Sequence, residues 1–166
     1  MKVNNKLPRQ LRRNGARIVP NCNKAKGQMS NQRLKDKKIL IVDDDEDILS
    51  SIDLAMRAEG AITQGVTDGN SAVSASHSGN PDAIILDMML PKRSGFLVLE
   101  KLKEEVDAPI IVMITANEGK RHMAYAQALG VDAYLVKPVP LHRLVDTLVD
   151  LLEQNDADQK TQAAEA

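Results

Sequence analysis

The sequence predicts an α/β domain in which a parallel sheet is covered by helices on both faces. Three observations predict it. Hydrophobic residues make up 43 % of the 166 residues but aromatics only 2 %, so the core must be Ile, Leu, Val, Ala and Met. That composition suits parallel strands under helices better than an aromatic-rich sandwich. Short apolar runs also alternate with segments of helical period five times between Lys38 and Gln154. Finally, several of those runs end in acidic, hydroxyl or basic residues, at the edge where such sheets bind ligands.

The elements follow in order. "KILIV" (Lys38–Val42) is a short apolar strand. "DILSSIDLAMRAEG" places Ile48, Ile52, Ala55 and Met56 at helical spacing, with Gly60 as the stop. "AITQGV" is a weaker strand, and the Ser-rich "SAVSASHSG" a poor helix ending at Gly79. "DAIILD" is a buried strand, and "SGFLVLEKLKEE" a helix with Phe96, Leu99 and Leu102 inward. "APIIVMIT" is the fourth strand, "KRHMAYAQALG" the fourth helix and "VDAYLV" the fifth strand. "LHRLVDTLVDLLEQ" is the fifth helix, with Leu141, Leu144, Val145, Leu148 and Leu152 on one face. Strands separated by helices need right-handed crossovers, which put the strands parallel.

The net charge of −1 hides an asymmetry. Twelve basic residues and one acid precede Ile39, a net +11, and the remainder carries −12. Residues 1–36 are expected to be a basic extension, polar and disordered through about Arg33. Residues 37–154 are the domain, and residues 155–166 a flexible, frayed polar tail. The lone Cys22 excludes an intramolecular disulfide and a cysteine-based zinc site, which favours a reducing compartment. No apolar run approaches the length of a membrane span, and no signal-peptide stretch opens the chain.

The predicted strand ends gather chemistry. The first delivers Asp43 and Asp44, the third Asp87, the fourth Thr115 and the fifth Lys137. Like charges about 4 Å apart repel by about 4 kcal/mol at an effective dielectric near 20. A hard cation relieves such a cluster, and Mg2+ needs only one or two carboxylates plus waters and phosphate oxygens. Lys137 can neutralise part of the rest. The set suits phosphoryl transfer to a carboxylate. Taken singly, each residue has a plainer reading. Asp45, Glu46 and Asp47 suit the start of the first helix, where carboxylates favour the dipole. Thr115 alone is an ordinary strand end, Lys137 a solvated lysine, and Tyr134 a core residue with a polar tip. His77, His122 and His142 read as surface residues, and Cys22 as an incidental thiol.

Together the motifs carry a resemblance. "ILIVDDD", "IILDMMLPKRSG" with Pro91 and Gly95, "VMITA" and "AYLVKP" resemble, in order, the four motifs of a two-component response-regulator receiver domain, single-domain and similar to the chemotaxis regulators. The resemblance covers about Lys37 to Gln154. It implies a flavodoxin-like, doubly wound five-stranded parallel sheet of order 2-1-3-4-5 with five helices. It implies Asp87 as phosphoacceptor, with Asp44, Asp87 and the Met89 carbonyl on Mg2+ and Asp43 acting through metal-bound water. Thr115 and Lys137 are implied on the phosphoryl oxygens, and Tyr134 at the aromatic switch position. One departure is "KPVP", where Val139 stands in place of the family's common Phe.

The expected function is a phosphorylation-controlled switch in a phosphorelay. A sensor histidine kinase or a histidine phosphotransfer protein is the expected donor. The output is a contact with an unknown protein, since no attached output domain is expected after Gln154, and the location is the cytoplasm. Such a domain is an enzyme only toward itself, in phosphorylation and hydrolysis. The alternative is nucleic-acid or anionic-surface binding through the basic extension, regulated by the receiver. Nucleic acid is disfavoured because the extension has no aromatic residue for stacking. A Mg2+-dependent hydrolase is the third option, disfavoured because no acidic general-base pair accompanies the fifth strand.

Overall fold

A computed structural model describes residues 32–116 and 119–164. The expected disordered segment through residue 31, including Cys22, lies outside the described residues. Five strands form one parallel sheet in the order β2-β1-β3-β4-β5: β1 (Lys38–Val42), β2 (Ile62–Val66), β3 (Ala83–Asp87), β4 (Ile110–Thr115) and β5 (Ala133–Val136). The helices between and after them are α1 (Glu46–Ala58), α2 (Gly69–Gly79), α3 (Gly95–Lys103), α4 (Lys120–Ala128) and α5 (Leu141–Ala164).

Alternate residues of each central strand face opposite layers, as the two-residue strand period requires. Ile39, Ile41, Ile85, Val112 and Ile114 pack against Ile52 and Met56 of α1 and Leu144, Leu148 and Leu152 of α5. Leu40, Val42, Ile84, Leu86, Ile111 and Met113 pack against Ala72 of α2, Leu99 and Leu102 of α3 and Ala126 of α4. Every residue of β3 and β4 is buried, which is why those strands read as unbroken apolar runs. β2 is an edge strand with no fully buried residue, which is why its pattern was weak.

The helix starts show their chemistry. Asp45 caps α1 by accepting from the backbone N–H groups of Asp47 and Ile48, with Glu46 and Asp47 in the first turn. Asp68 caps α2 in the same way, on Asn70 and Ser71, so the helix begins two residues before the expected Ser71. Asn80, in the left-handed region at φ 46°, closes it.

Three expectations need correction. The ordered domain begins before Lys37: Leu34 is fully buried in the α1–α5 layer, and its N–H donates to the Glu59 carbonyl at 2.9 Å. Arg33 spans two helices, reaching Glu59 of the α1 end at 3.0 Å and Asp146 of α5 at 2.7 Å. The expected tail at residues 155–166 is helical as far as Ala164, because "ADQKTQAA" holds no helix breaker and Lys37 pairs with Asp156 at 2.9 Å. Leu141, expected on the inner face, is 39 % exposed because it opens α5 before the helix meets the sheet.

At the opposite edge from the strand carboxyl ends, Asp132 accepts from Lys103 at 2.5 Å and from the Ile111 N–H at 2.8 Å. Lys103 also donates to the Pro109 carbonyl. This largely buried pair ties α3 to the starts of β4 and β5.

Candidate phosphoacceptor site

The parallel register brings the ends of β1, β3, β4 and β5 to one edge of the sheet. Asp43 and Asp87 are 2 % and 5 % exposed. Lys137 lies between them, 2.9 Å from Asp43 Oδ2 and 2.8 Å from Asp87 Oδ1. Burial pulls the Lys137 ammonium toward a lower pKa, but its hydrogen bonds to Asp87 and Asp43 outweigh burial and hold it above its ordinary value. The peptide bond that follows, Lys137–Pro138, is cis. Asp43 Oδ1 also accepts from the Asp45 N–H at 3.0 Å, and Asp87 Oδ2 from the Met89 N–H at 2.5 Å. Both carboxylates are thereby fixed in direction. Gly95 permits the next helix to start this close, since a Cβ there would collide with the Asp87 carbonyl oxygen.

Asp44 is exposed beside this pair. Three carboxylates against one ammonium leave a formal excess of two negative charges at one edge. Among the described residues no three His, Cys, Asp or Glu side chains form a ready-made cage. Mg2+ does not require one, because it keeps several waters and takes one or two carboxylates. The hard oxygen donors, their burial and their unbalanced charge fit that ion.

Thr115 is fully buried at the end of β4, and the Lys137 N–H donates to its carbonyl at 2.8 Å. Its hydroxyl lies 3.6 Å from Met88 Sδ and is hydrogen-bonded to Tyr134. Desolvation raises the Tyr134 phenol above its ordinary pKa, and the Thr115 hydrogen bond partly offsets this. Tyr134 packs, half-buried, on the α2–α3–α4 layer.

The model of the response regulator receiver domain family matches residues 39–149, well over half of the chain. The chain belongs to the response regulator receiver family. Its sequence is 33 % identical over 116 residues to a probable transcriptional regulatory protein, TcrX, of Mycobacterium tuberculosis. The match takes in 70 % of this chain and 50 % of TcrX, so the chain spans about half the length of that relative. The fold superposes on a CheY-like receiver domain protein from Methanospirillum hungatei with a TM-score of 0.72 and 25 % identity, over 75 % of this chain and 99 % of that one. It also superposes on the CheX–CheY–BeF3–Mg2+ complex of Borrelia burgdorferi with a TM-score of 0.67 and 23 % identity, over 74 % and 98 %. The fold is therefore the flavodoxin-like receiver fold, and the protein is the receiver domain of a two-component response regulator.

In this receiver domain, direct side-chain contact joins Asp43, Lys137 and Asp87, which were expected together. Asp44 stands at the rim. The Thr115 hydroxyl faces Met88 and Tyr134. The Met89 side chain is 69 % exposed, so any ligand role falls to its backbone. Sequence reasoning missed Asp68 and Lys92. Asp68 accepts from Ser71 and from Lys92 Nζ, which together hold its carboxyl well below the usual range. "TDG" ahead of a helix is a capping signal that could have flagged Asp68. No local pattern announces Lys92, whose partner lies 24 residues away. Among the described residues no helix is long and apolar enough to cross a membrane.

Proposed function

We propose that Asp87 accepts a phosphoryl group from a phosphohistidine donor, either a sensor histidine kinase or a histidine phosphotransfer protein. The bridge that Lys137 makes between the buried Asp43 and Asp87 carries this reading. An Asp87 oxygen attacks phosphorus, the P–N bond to the donor imidazole breaks, and the imidazole keeps that electron pair. Lys137 exchanges its Asp87 contact for a phosphoryl oxygen. Thr115 donates its hydroxyl to another. Asp44, Asp87 and the Met89 carbonyl would hold Mg2+, with Asp43 acting through water, and the ion would supply positive charge to the phosphoryl oxygens. Attack by water on phosphorus later returns Asp87 and inorganic phosphate. Catalysis is confined to these reactions on the chain itself, in the cytoplasm, and the output is a contact with another protein.

Acetyl phosphate with Mg2+ is expected to add one base- and hydroxylamine-labile phosphoryl group to the wild type and none to Asp87→Asn, as read by intact-mass spectrometry. Equal labelling of the two proteins would sink the assignment.

The switch runs through Thr115. Its hydroxyl turns toward the phosphoryl group and leaves Met88 and Tyr134, and Tyr134 follows into the vacated space. The phosphate's differential contacts with Thr115 bias this two-state element. α4 is suited to respond, because Ala126 is its one buried residue. NMR of the beryllofluoride adduct is expected to shift resonances between Lys120 and Val145. Shifts confined to the loop after Asp87 count against the switch.

A further inference from the structure

The loop between β3 and α3 carries the Met89 carbonyl, yet little of it is anchored in the core. Met89, Pro91 and Lys92 are exposed, and Leu90 is only partly buried. Its tip rests instead on the first turn of α2. The Gly69 N–H donates to the Pro91 carbonyl at 3.3 Å, and Lys92 Nζ donates to Asp68 Oδ2 at 2.9 Å. Lys92 itself stands at φ 64°, a conformation that costs energy for any residue but glycine. The approach is close enough that a Cβ on Gly69 would collide with the Arg93 carbonyl oxygen.

The post that Lys92 grips is rigid. Asp68 is 7 % exposed, and its carboxylate also accepts from the Asn70 and Ser71 N–H groups at 3.0 Å and from Ser71 Oγ at 2.7 Å. The other end of the loop is tied to the site through the Met89 N–H on Asp87 and the Met88 N–H on the Ile114 carbonyl. Where the loop enters α3, the Gly95 N–H donates to the Met88 carbonyl at 2.9 Å, so both ends are fixed and the α2 contacts hold the exposed tip between them.

We propose that the Asp68–Gly69 turn of α2 positions the β3–α3 loop for cation binding. Lys92 and Gly69 thereby set the Mg2+ affinity of the site without touching ion or phosphate. The proposal rests on the reading of the Met89 carbonyl as a ligand. They are positioning residues, and the effect belongs to affinity and not to the chemical step.

The test is titration of the full chain with Mg2+ alone, without phosphodonor, followed by amide NMR. Labelling rates from acetyl phosphate at saturating Mg2+ accompany it. Lys92→Met is expected to weaken Mg2+ about two- to five-fold, as suits a partly exposed pair. Gly69→Ala is expected to weaken it roughly ten-fold. Lys92→Arg keeps the wild-type affinity, and the saturating rate of Lys92→Met stays within about two-fold of wild type. Lys92→Met needs no change in backbone packing, so it tests the clamp even if Gly69→Ala fails to fold. Wild-type Mg2+ affinity in Lys92→Met and in any folded Gly69→Ala overturns the clamp, as does a fall in saturating rate at unchanged affinity. A wild type that binds no Mg2+ overturns the underlying site as well, so the two failures are distinguishable.

Discussion

With Asp43 and Asp44 both replaced by Asn, phosphorylation from acetyl phosphate is expected to fall by on the order of 100-fold or more, while stability without metal hardly changes. The rate loss follows from the ion. Metal stabilisation of transferring phosphoryl oxygens is worth several kcal/mol, and each 1.36 kcal/mol is ten-fold in rate. The stability result follows from two opposed effects of similar size. Removing the Asp43 charge relieves repulsion toward Asp87, about 4 kcal/mol at most for charges about 4 Å apart. It also weakens the hydrogen bond to Lys137, which at 2.9 Å is charge-assisted and worth about 1.5–3 kcal/mol. Lys137 keeps Asp87, so no buried charge is orphaned. Asp44, being exposed, adds little. Thermal melts with and without Mg2+ give the second half of the test: Mg2+ raises the midpoint of the wild type and not of the double variant. Wild-type labelling by the double variant would remove the metal role from both carboxylates.

The second large effect lies in the segment before β1. A chain starting at Met29 is expected to fold and accept phosphate like the full chain. One starting at Lys37 is expected to lose about 2–5 kcal/mol, as Leu34→Ala does, because Leu34 fills a fully buried place beside the α1 end and α5. Arg33→Met costs less, since exposed ion pairs contribute about 0.2–1 kcal/mol each. The segment also loosens in acid. The Arg33 hydrogen bond holds Glu59 below its ordinary 4.5. A depressed carboxyl contributes stability that is present above pH 4.5 and is lost as pH falls through the lower folded value. Urea melts at pH 7 and pH 3 therefore differ less for Arg33→Met than for the wild type, apart from the carboxylates both share. Equal midpoints for chains starting at Met29 and at Lys37 would show that Leu34 is not part of the cooperative core.

Which features were legible in the sequence follows from how local each one is. β1, β3 and β4 announce themselves because both faces of each are covered, so no polar residue interrupts them. The order β2-β1-β3-β4-β5 is a property of crossovers that no residue encodes locally, and it came with the family resemblance. Asp43, Asp87 and Lys137 were legible because each sits at a strand end, where parallel strands of one sheet must bring their termini together. Leu34 was not, because one apolar residue between Arg33 and Lys35 has no period to reveal it. The helical end of α5 was missed for the opposite reason, since residues 155–161 carry no apolar stripe and the Lys37 that pairs with Asp156 lies 119 residues away. Lys103 and Asp132 pair across 29 residues, and neither has a local motif.

The Lys37–Asp156 contact joins positions 119 residues apart, close to the two ends of the described chain. Closing so long a loop costs entropy before any contact repays it, so such a clasp is expected to form late on the way to the native state. An interaction absent from the transition state acts on only one of the two rates. The Lys37–Asp156 clasp is therefore expected to be a small brake on opening, since its side chains are partly exposed. Lys37→Met is expected to speed unfolding slightly and to leave the time to fold nearly untouched, as read by stopped-flow kinetics.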